Sequence, residues 1–566
     1  MYCKSLLIGG VAAILTVSTV KAQIYHEVDK EDLRAVMRQG TNWQRLGLTV
    51  ADTLSWNQNE DWVSKVEGVS WSKFESTQRI DSIEWNGIVD PTTMAQTPKI
   101  RGSLKLSSPI LEYLSCYAND LTKLDVTENP KLNYLDCDYC NLAKLDVTKN
   151  TELTYLWCGL NFLEELDLSH NTQLIILSCN FGYLEKLDLS HNPQLKHIDL
   201  GGNYLTELDL SENTELIYLF CEENGLEKLN VSKNTKLKVL ECYWNYSLTE
   251  LDVTNSIHLD TLICYSNKLT ELDVSKNTEL IVLQCGYNEL TELDVAKNTK
   301  LIDLQCDMNH LTELDVTNNT KLIYLDCGFN NLTVLDVSKN TDLITLGFIN
   351  NKLTEIDVTN NTKLTSFYCY NNLFKFSTLP IIDPDDTYYV YYPQSTIDGG
   401  TKAYTKVDLS SEYNINGNIT NFEWFDITNG GESKITPTTN NNGIFAFEEE
   451  YIDKTLRCRM RNEQFPGSAW LSPPFAIVYE VKIAETEDSI EDETEINFTI
   501  LPNPAKTQLV IHHSKEISSV LLYDVAGKLL KTYTVKEINP TLDISDLSNG
   551  VYFITVDGKS VKFIKE

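Results

Sequence analysis

Between Leu111 and Leu379 leucine returns on a fixed schedule. Each period reads L-x-x-L-x-C-x-x-N-x-L, as at Leu111, Leu114, Cys116, Asn119 and Leu121. The cysteines mark a 21-residue step: Cys116, Cys137, Cys158 and Cys179, then Cys221 and Cys242. After a one-residue slip the step resumes at Cys264, Cys285, Cys306, Cys327 and Cys369. Thirteen periods, numbered coils 1 to 13, start between Leu111 and Leu364. Each is double: Leu280-x-x-Leu283-x-Cys285-x-x-Asn288 is followed by Leu290-x-x-Leu293-x-Val295-x-x-Asn298. Apolar residues alternating across three positions predict a short strand, and too few residues remain on the return side for a helix. A period of this kind predicts one unit stacked on itself, a mainly β solenoid. Two narrow parallel sheets are expected, one from the Leu-x-Cys segments and one from the Leu-Asp-Val segments. Stacked ~4.8 Å apart, the coils make a rod on the order of 60 Å long.

The flanks break the pattern. Residues 1–22 contain Lys4, the apolar run Leu6 to Val20 and a small residue at Ala22, which together predict a cleaved secretory signal. No later stretch is long and apolar enough for a membrane helix. Residues 23–110, with Trp43, Trp56, Trp62 and Trp71, read as an N-terminal capping region. It holds a short amphipathic helix at Asp32 to Met37 and a degenerate echo of the repeat at Ile80-x-x-Ile83-x-Trp85. A cap is physically required, because a solenoid end exposes an unpaired edge and an open core. Residues 380–482 alternate strand-like runs with turn clusters. Phe422-Glu423-Trp424-Phe425 and Leu456-Arg457-Cys458-Arg459-Met460 suit an immunoglobulin-like β-sandwich without its partner cysteine. Residues 483–496 are an acidic, self-repelling linker, and 497–566 suit a small C-terminal β-sandwich with Pro and Gly at its turns.

Two resemblances follow from these residues. The repeat frame of 111–379 resembles bacterial leucine-rich repeats of the nested 21-residue type, which implies a solenoid that presents a binding face. The C-terminal segment carries Pro502, Asn503 and Pro504, then Gly527, then Gly550 and Tyr552, and finally Lys565. It looks like the sorting domain read by the type IX secretion machinery of Bacteroidetes. That resemblance implies export across the outer membrane to the cell surface or the medium, with the secretion machinery as one partner.

Charge narrows the partners. A formal net charge of −34 over 566 residues excludes nucleic acid as an expected partner, because phosphate binding needs a basic face. The cysteine ladder invites a disulfide, metal or redox reading, but two coils carry Leu200 and Phe348 in its place, so the thiols read as small core residues. Cys137-x-x-Cys140 is one ladder cysteine plus one that replaces an asparagine. The asparagines, such as Asn267, Asn288, Asn309 and Asn330, read as a hydrogen-bonded spine. A second ladder, Asp125, Asp146, Asp167 and onward, reads as solvated turn-forming carboxylates. Weak Ca²⁺ is the one ion such a row would favour; otherwise no cofactor is expected. His170 and His191 share a repeat position without a third ligand, so no metal is assigned.

The candidate ligand-binding residues are aromatic: Tyr113, Tyr134, Tyr155, Trp157, Tyr218, Phe220, Tyr243, Trp244, Tyr265, Tyr287, Tyr324 and Tyr368. Acids such as Asp136, Asp199, Glu222, Glu241, Asp307 and Asp326 are interleaved with them. Exposed rings in rows suit an interface, since a rigid ring buries much area at low entropic cost. No catalytic set can be isolated. The expectation is an adhesin-like, non-enzymatic binding protein for an extracellular protein or glycan. A structural component of the cell surface, or a hydrolase with its site in a flanking domain, are the alternatives.

Overall fold

A computed structural model describes residues 99–382, 388–465, 476–485 and 540–556 continuously, and parts of 30–39, 66–85, 498–537 and 559–565. The signal segment, Trp43, Trp56, Trp62, most of the acidic linker, and Pro502, Asn503, Pro504 and Gly527 lie outside the described residues. Of the helix expected at Asp32 to Met37, the described residues Asp32, Leu33 and Ala35 are helical.

The Leu-x-Cys segments form the body of one sheet of sixteen strands. Each coil contributes three residues, such as Tyr134–Asp136 or Val282–Gln284, paired parallel with the coils before and after. The register advances by one period per strand, so leucine sits beside leucine: Leu262 against Leu283, Leu283 against Leu304. The central residue of each strand points inward, and the two flanking it point out.

The sheet runs beyond the repeat at both ends. Before coil 1, Thr77–Glu84 pairs parallel with Tyr113–Ser115 and antiparallel with Val69–Phe74. Ile80, Ile83 and Trp85 are buried in the Leu, Leu and Cys places of the frame. After coil 13, Tyr388–Val390 adds one more parallel strand against Ser366–Tyr368. The solenoid sheet therefore continues past residue 380, where the leucine pattern ends and the sequence places the start of the sandwich. Tyr389 stands in the leucine register and Gln394 in the asparagine place, donating to the Cys369 carbonyl at 3.1 Å.

The opposite side is less regular. Parallel ladders occur there at Arg101–Lys105 with Asp120–Asp125, and at Lys228–Asn230 with Glu250–Asp252. Elsewhere the Leu-Asp-Val segment is extended without a ladder. Each aspartate turns back onto the residue two positions on, as when Thr127 donates from its N–H and Oγ1 to Asp125 Oδ1 at 3.2 and 2.7 Å. That Asx turn closes the segment on its C-terminal side in the coils that form a ladder, as at Asp125 and Asp252, and in those that do not, as at Asp315. The lowered pKa of Asp125 follows first from the Thr127 hydroxyl.

Two asparagine spines tie coil to coil. In the first, Asn309 donates to the carbonyls of Cys285 at 3.1 Å and Cys306 at 3.2 Å, and accepts from the Leu290 N–H at 2.9 Å. In the second, Asn319 donates to Val295 and Asn298, both at 2.9 Å, while its Oδ1 has no protein partner. The thirteen described cysteines are buried and free of disulfides. Cys140, in an asparagine place, donates its thiol to the Cys116 carbonyl at 3.3 Å, reproducing one spine bond.

A single apolar core runs from Leu33 through the coils into the following unit as far as Ile483. That unit has a five-strand sheet containing Asn421–Asp426, Thr455–Arg461 and Ile477–Ala484, and a three-strand sheet containing Ile444–Ala446. Trp424 lies opposite Cys458 and meets Phe445 and Phe447 edge-on at 5.3 and 4.9 Å. Phe465 stacks on Phe376 of the solenoid at 5.8 Å, and the fully buried Glu412 accepts from the Ser377 N–H and hydroxyl. Residues 498–565 form a three-strand and a four-strand sheet around a separate core that includes Leu509, Ile511, Leu522 and Ile554. In it Tyr552 stacks on Phe563 and donates to the Ser548 carbonyl, and Gly550 pairs with Lys565.

Candidate functional site

The candidate rings divide into four rows by their place in the coil. Tyr113, Tyr134, Tyr155, Tyr218 and Tyr324 occupy the first strand position and point out of the sheet. Trp157, Phe220 and Tyr368 occupy the third. Tyr243 and Tyr265 follow the ladder cysteine. Trp244 and Tyr287 do not lie on the sheet: they sit in a left-handed turn two residues beyond that cysteine.

The turn recurs in all thirteen coils. Ala118, Tyr139, Leu160, Phe181, Glu223, Trp244, Ser266, Tyr287, Met308, Phe329, Asn350 and Asn371 have φ between 48° and 60°, and Gly202 completes the series at 66°. Left-handed backbone costs a residue with a Cβ roughly 1–2 kcal/mol. Inter-coil bonds hold it in place: Tyr139 donates from its N–H to the Gly159 carbonyl at 2.9 Å, and Tyr287 to Asp307 at 2.9 Å. The geometry throws the side chain outward, leaving Tyr287 and Tyr139 more than half exposed.

On the sheet face, neighbouring coils bring rings into contact. Tyr113 stacks on Tyr134 at 4.4 Å, and Tyr134 meets Tyr155 at 6.0 Å. His197 links Trp157, Tyr218 and Phe220 at 6.2, 5.9 and 5.3 Å. Tyr243 stacks on Tyr265 at 4.6 Å, with Trp244 edge-on to both. Tyr368 meets Tyr388 of the added strand at 5.8 Å. Tyr324 stands among acids, and its hydroxyl is pushed up to about 12 by burial and then by Asp326 and Asp303.

Carboxylates crowd the same face. Burial, then Asp199, Glu241 and Glu223, push Glu222 up to about 7, and one of its oxygens is buried without a protein partner. Its carboxylate lies against Gly201, where a side chain would collide with it. Glu241 is raised by burial and Asp199. In coil 10 burial and Asp326 raise Asp307 to about 6. Burial alone lowers His197 to about 4, so it is a neutral ring at neutral pH. The face thus combines apolar rings with acids held short of solvent. Among the described residues no group of three or more His, Cys, Asp or Glu side chains has the geometry to hold a metal ion.

One exposed row is absent from the sequence candidates. Phe162, Tyr183 and Tyr204 follow the spine-asparagine place in coils 3, 4 and 5, with ring centroids 5.9 Å apart at each step. Its signal in the sequence is three aromatic residues at 21-residue spacing, one place beyond the repeat asparagine.

Comparison with known proteins matches this geometry. The functional domain of InlJ from Listeria monocytogenes, described as including a cysteine ladder, aligns at 32% identity with a TM-score of 0.56. The alignment covers 67% of this chain and 90% of that one. Residues 499–566 match the family described as the secretion system C-terminal sorting domain. The chain is a leucine-rich-repeat protein carrying a type IX sorting domain. The PEPR1–AtPEP1 crystal structure shares the repeat fold alone, at 16% identity, a TM-score of 0.53, and coverage of 66% of this chain and 56% of that one. Beta-agarase A of Zobellia galactanivorans is 33% identical over 78 residues, 13% of this chain. The leucine-rich-repeat protein thus spans 14% of the length of that curated relative.

The sorting domain directs export to the cell surface or extracellular space. Among the described residues no helix is long and apolar enough to cross a membrane. The fold resembles that of leucine-rich-repeat binding proteins.

Proposed function

We propose that this exported protein is an adhesin-like binder that holds another extracellular protein on the outer face of its sheet, over coils 1 to 8. The observation that carries the reading is three groups of part-buried rings in contact between coils, with Glu241 beside Phe220 in the sheet register and Glu222 close enough to act on Tyr243. Such rings lose little conformational freedom on binding, and desolvated carboxylates gain most from a partner's lysine or arginine. The recognised segment therefore carries basic side chains among apolar ones. The sandwich after the solenoid acts as a cap and spacer, and the sorting domain is the part read by the secretion machinery.

A protein and glycan array, probed with the native protein and with the variant Trp157→Ser, Tyr218→Ser, Phe220→Ser, tests the reading. Loss of roughly 30-fold or more in affinity for protein ligands is expected, the size of a small hot-spot cluster. Unchanged binding by the variant would remove the face from the reading and leave the rings as a structural ladder. Binding to glycans alone would assign the face a different ligand class.

A further inference from the structure

The edge of coils 1 to 5, where the chain leaves the sheet, carries its own chemistry. Tyr139, Phe162, Tyr183 and Tyr204 are 51%, 49%, 44% and 59% exposed, and Leu160 and Phe181 lie beside them on left-handed residues. Phe181 rests over Gly202, where any side chain would collide with its ring. A contiguous apolar strip of this kind marks an interaction site more often than a free surface. Acids border it. The chain passes from Phe162 to Glu164 and Glu165, and from Tyr183 to Glu185. These line a shallow groove with Asp146, Asp167 and Asp188; Lys186 also lines it, and Lys144 pairs with Glu165 across one coil step at 3.5 Å, an exposed pair that a guanidinium can displace.

The first step of this edge shows what such an arrangement takes. Lys99 places its ammonium 5.2 Å from the centre of the Tyr139 ring and 3.3 Å from Asp120 Oδ1. Asp120 occupies in coil 1 the repeat position that Phe162, Tyr183 and Tyr204 occupy in coils 3 to 5. Ring plus carboxylate holding a cation is thus already realised within the chain, immediately before the exposed strip begins. The successive rings touch at a tilt, which leaves their outer faces open to solvent, and a planar guanidinium covers such a face well.

We infer that the edge of coils 3 to 5 is a second docking surface, for an arginine-rich segment of another protein. Guanidinium groups lie over Phe162, Tyr183 and Tyr204, and Glu164, Glu165 and Glu185 take up the charge. A second copy of this chain does not fit, because acidic flanks would meet acidic flanks in a protein of net charge −34. None of these residues belongs to the sheet face, so the two surfaces can be tested apart.

Fluorescence anisotropy of a labelled nona-arginine peptide with the full-length protein at physiological salt provides the test. The variant Phe162→Ser, Tyr183→Ser, Tyr204→Ser should weaken binding at least ~10-fold, while Tyr183→Phe stays within about 2-fold of the native protein. Thermal unfolding of the edge variant should be unchanged, since the rings are exposed. Undiminished binding by the edge variant would overturn the proposal. So would nona-lysine binding as tightly and surviving ring removal, which would assign the effect to net charge alone. Absence of measurable peptide binding to the native protein would overturn it as well.

Discussion

Coils 1 to 8 and coils 9 to 13 have the same interior and different surfaces. Inside, both present buried leucines at the same places, a buried cysteine or its apolar replacement, and an asparagine spine. Outside, the first strand position reads Tyr113, Tyr134, Tyr155, Ile176, His197, Tyr218, Val239 and Thr261 in the first group, and Val282, Asp303, Tyr324, Thr345 and Ser366 in the second, so that rings dominate the one and are rare in the other. The coil needs only its inward positions to close, so the outward ones vary without disturbing the stack. Architecture and recognition are separable here down to alternate residues of one strand.

The shared interior should respond alike in both groups. Leu177→Ala in coil 4 and Leu346→Ala in coil 12 remove fully buried side chains from equivalent places. Each should lower stability by about 2–5 kcal/mol, measured by chemical denaturation. Values more than ~1 kcal/mol apart would show that the two groups are packed differently after all.

The spine gives the next effect in size. Asn203→Ala and Asn309→Ala each strip buried carbonyls of a donor and a buried N–H of its acceptor. Losses of about 1–3 kcal/mol are expected in both groups. Asn319→Ser should cost less than Asn309→Ala, because the second spine leaves its acceptor unused and Ser256 already fills one of its places. Equal losses at Asn309 and Asn319 would break that ranking.

Acidity should act most gently, through buried acids such as Glu222 in coil 6. Glu222 has a folded-state pKa of about 7 against an ordinary value of 4.5, so the native state holds the proton more tightly. Its contribution to stability is full below pH 4.5 and is lost as pH rises through 7. His197, lowered to about 4, works in the opposite sense, losing stability as pH falls below 6.5. Glu222→Gln should therefore raise the melting temperature at pH ~8 by on the order of 1–3 °C and leave it nearly unchanged at pH ~4. An equal shift at both pH values would show that the effect is not titration.

The solenoid was legible because its signal repeats: one leucine is weak evidence, but the same leucine in coil after coil is not. The added strand at Tyr388–Val390 was not, since tyrosine replaces leucine and cysteine there and glutamine replaces asparagine, while its place in the stack depends on contact with coil 13. The sparse ladder on the opposite side was hidden for a different reason. Leu-Asp-Val reads as a strand by alternation, yet alternation says nothing of inter-coil pairing, and the same segment forms a ladder at Lys228–Asn230 with Glu250–Asp252 and none in most other coils. The left-handed position was silent because Ala118, Glu223, Met308 and Phe329 share no chemistry; only the turn makes them equivalent. That is why Trp244 and Tyr287 fall among the sheet rings when read from sequence, and why the edge row of Phe162, Tyr183 and Tyr204 is missed.

A register that advances by one whole period per strand also governs how such a chain can be lengthened or shortened. Excising residues 280–300 would bring Leu301 into the place of Leu280, and every rung beyond would find an equivalent neighbour. The sandwich would then stand one rung, ~4.8 Å, closer to the aromatic coils, with nothing else altered. Reach thus becomes a quantity adjustable in steps of one coil, independently of what the surface recognises.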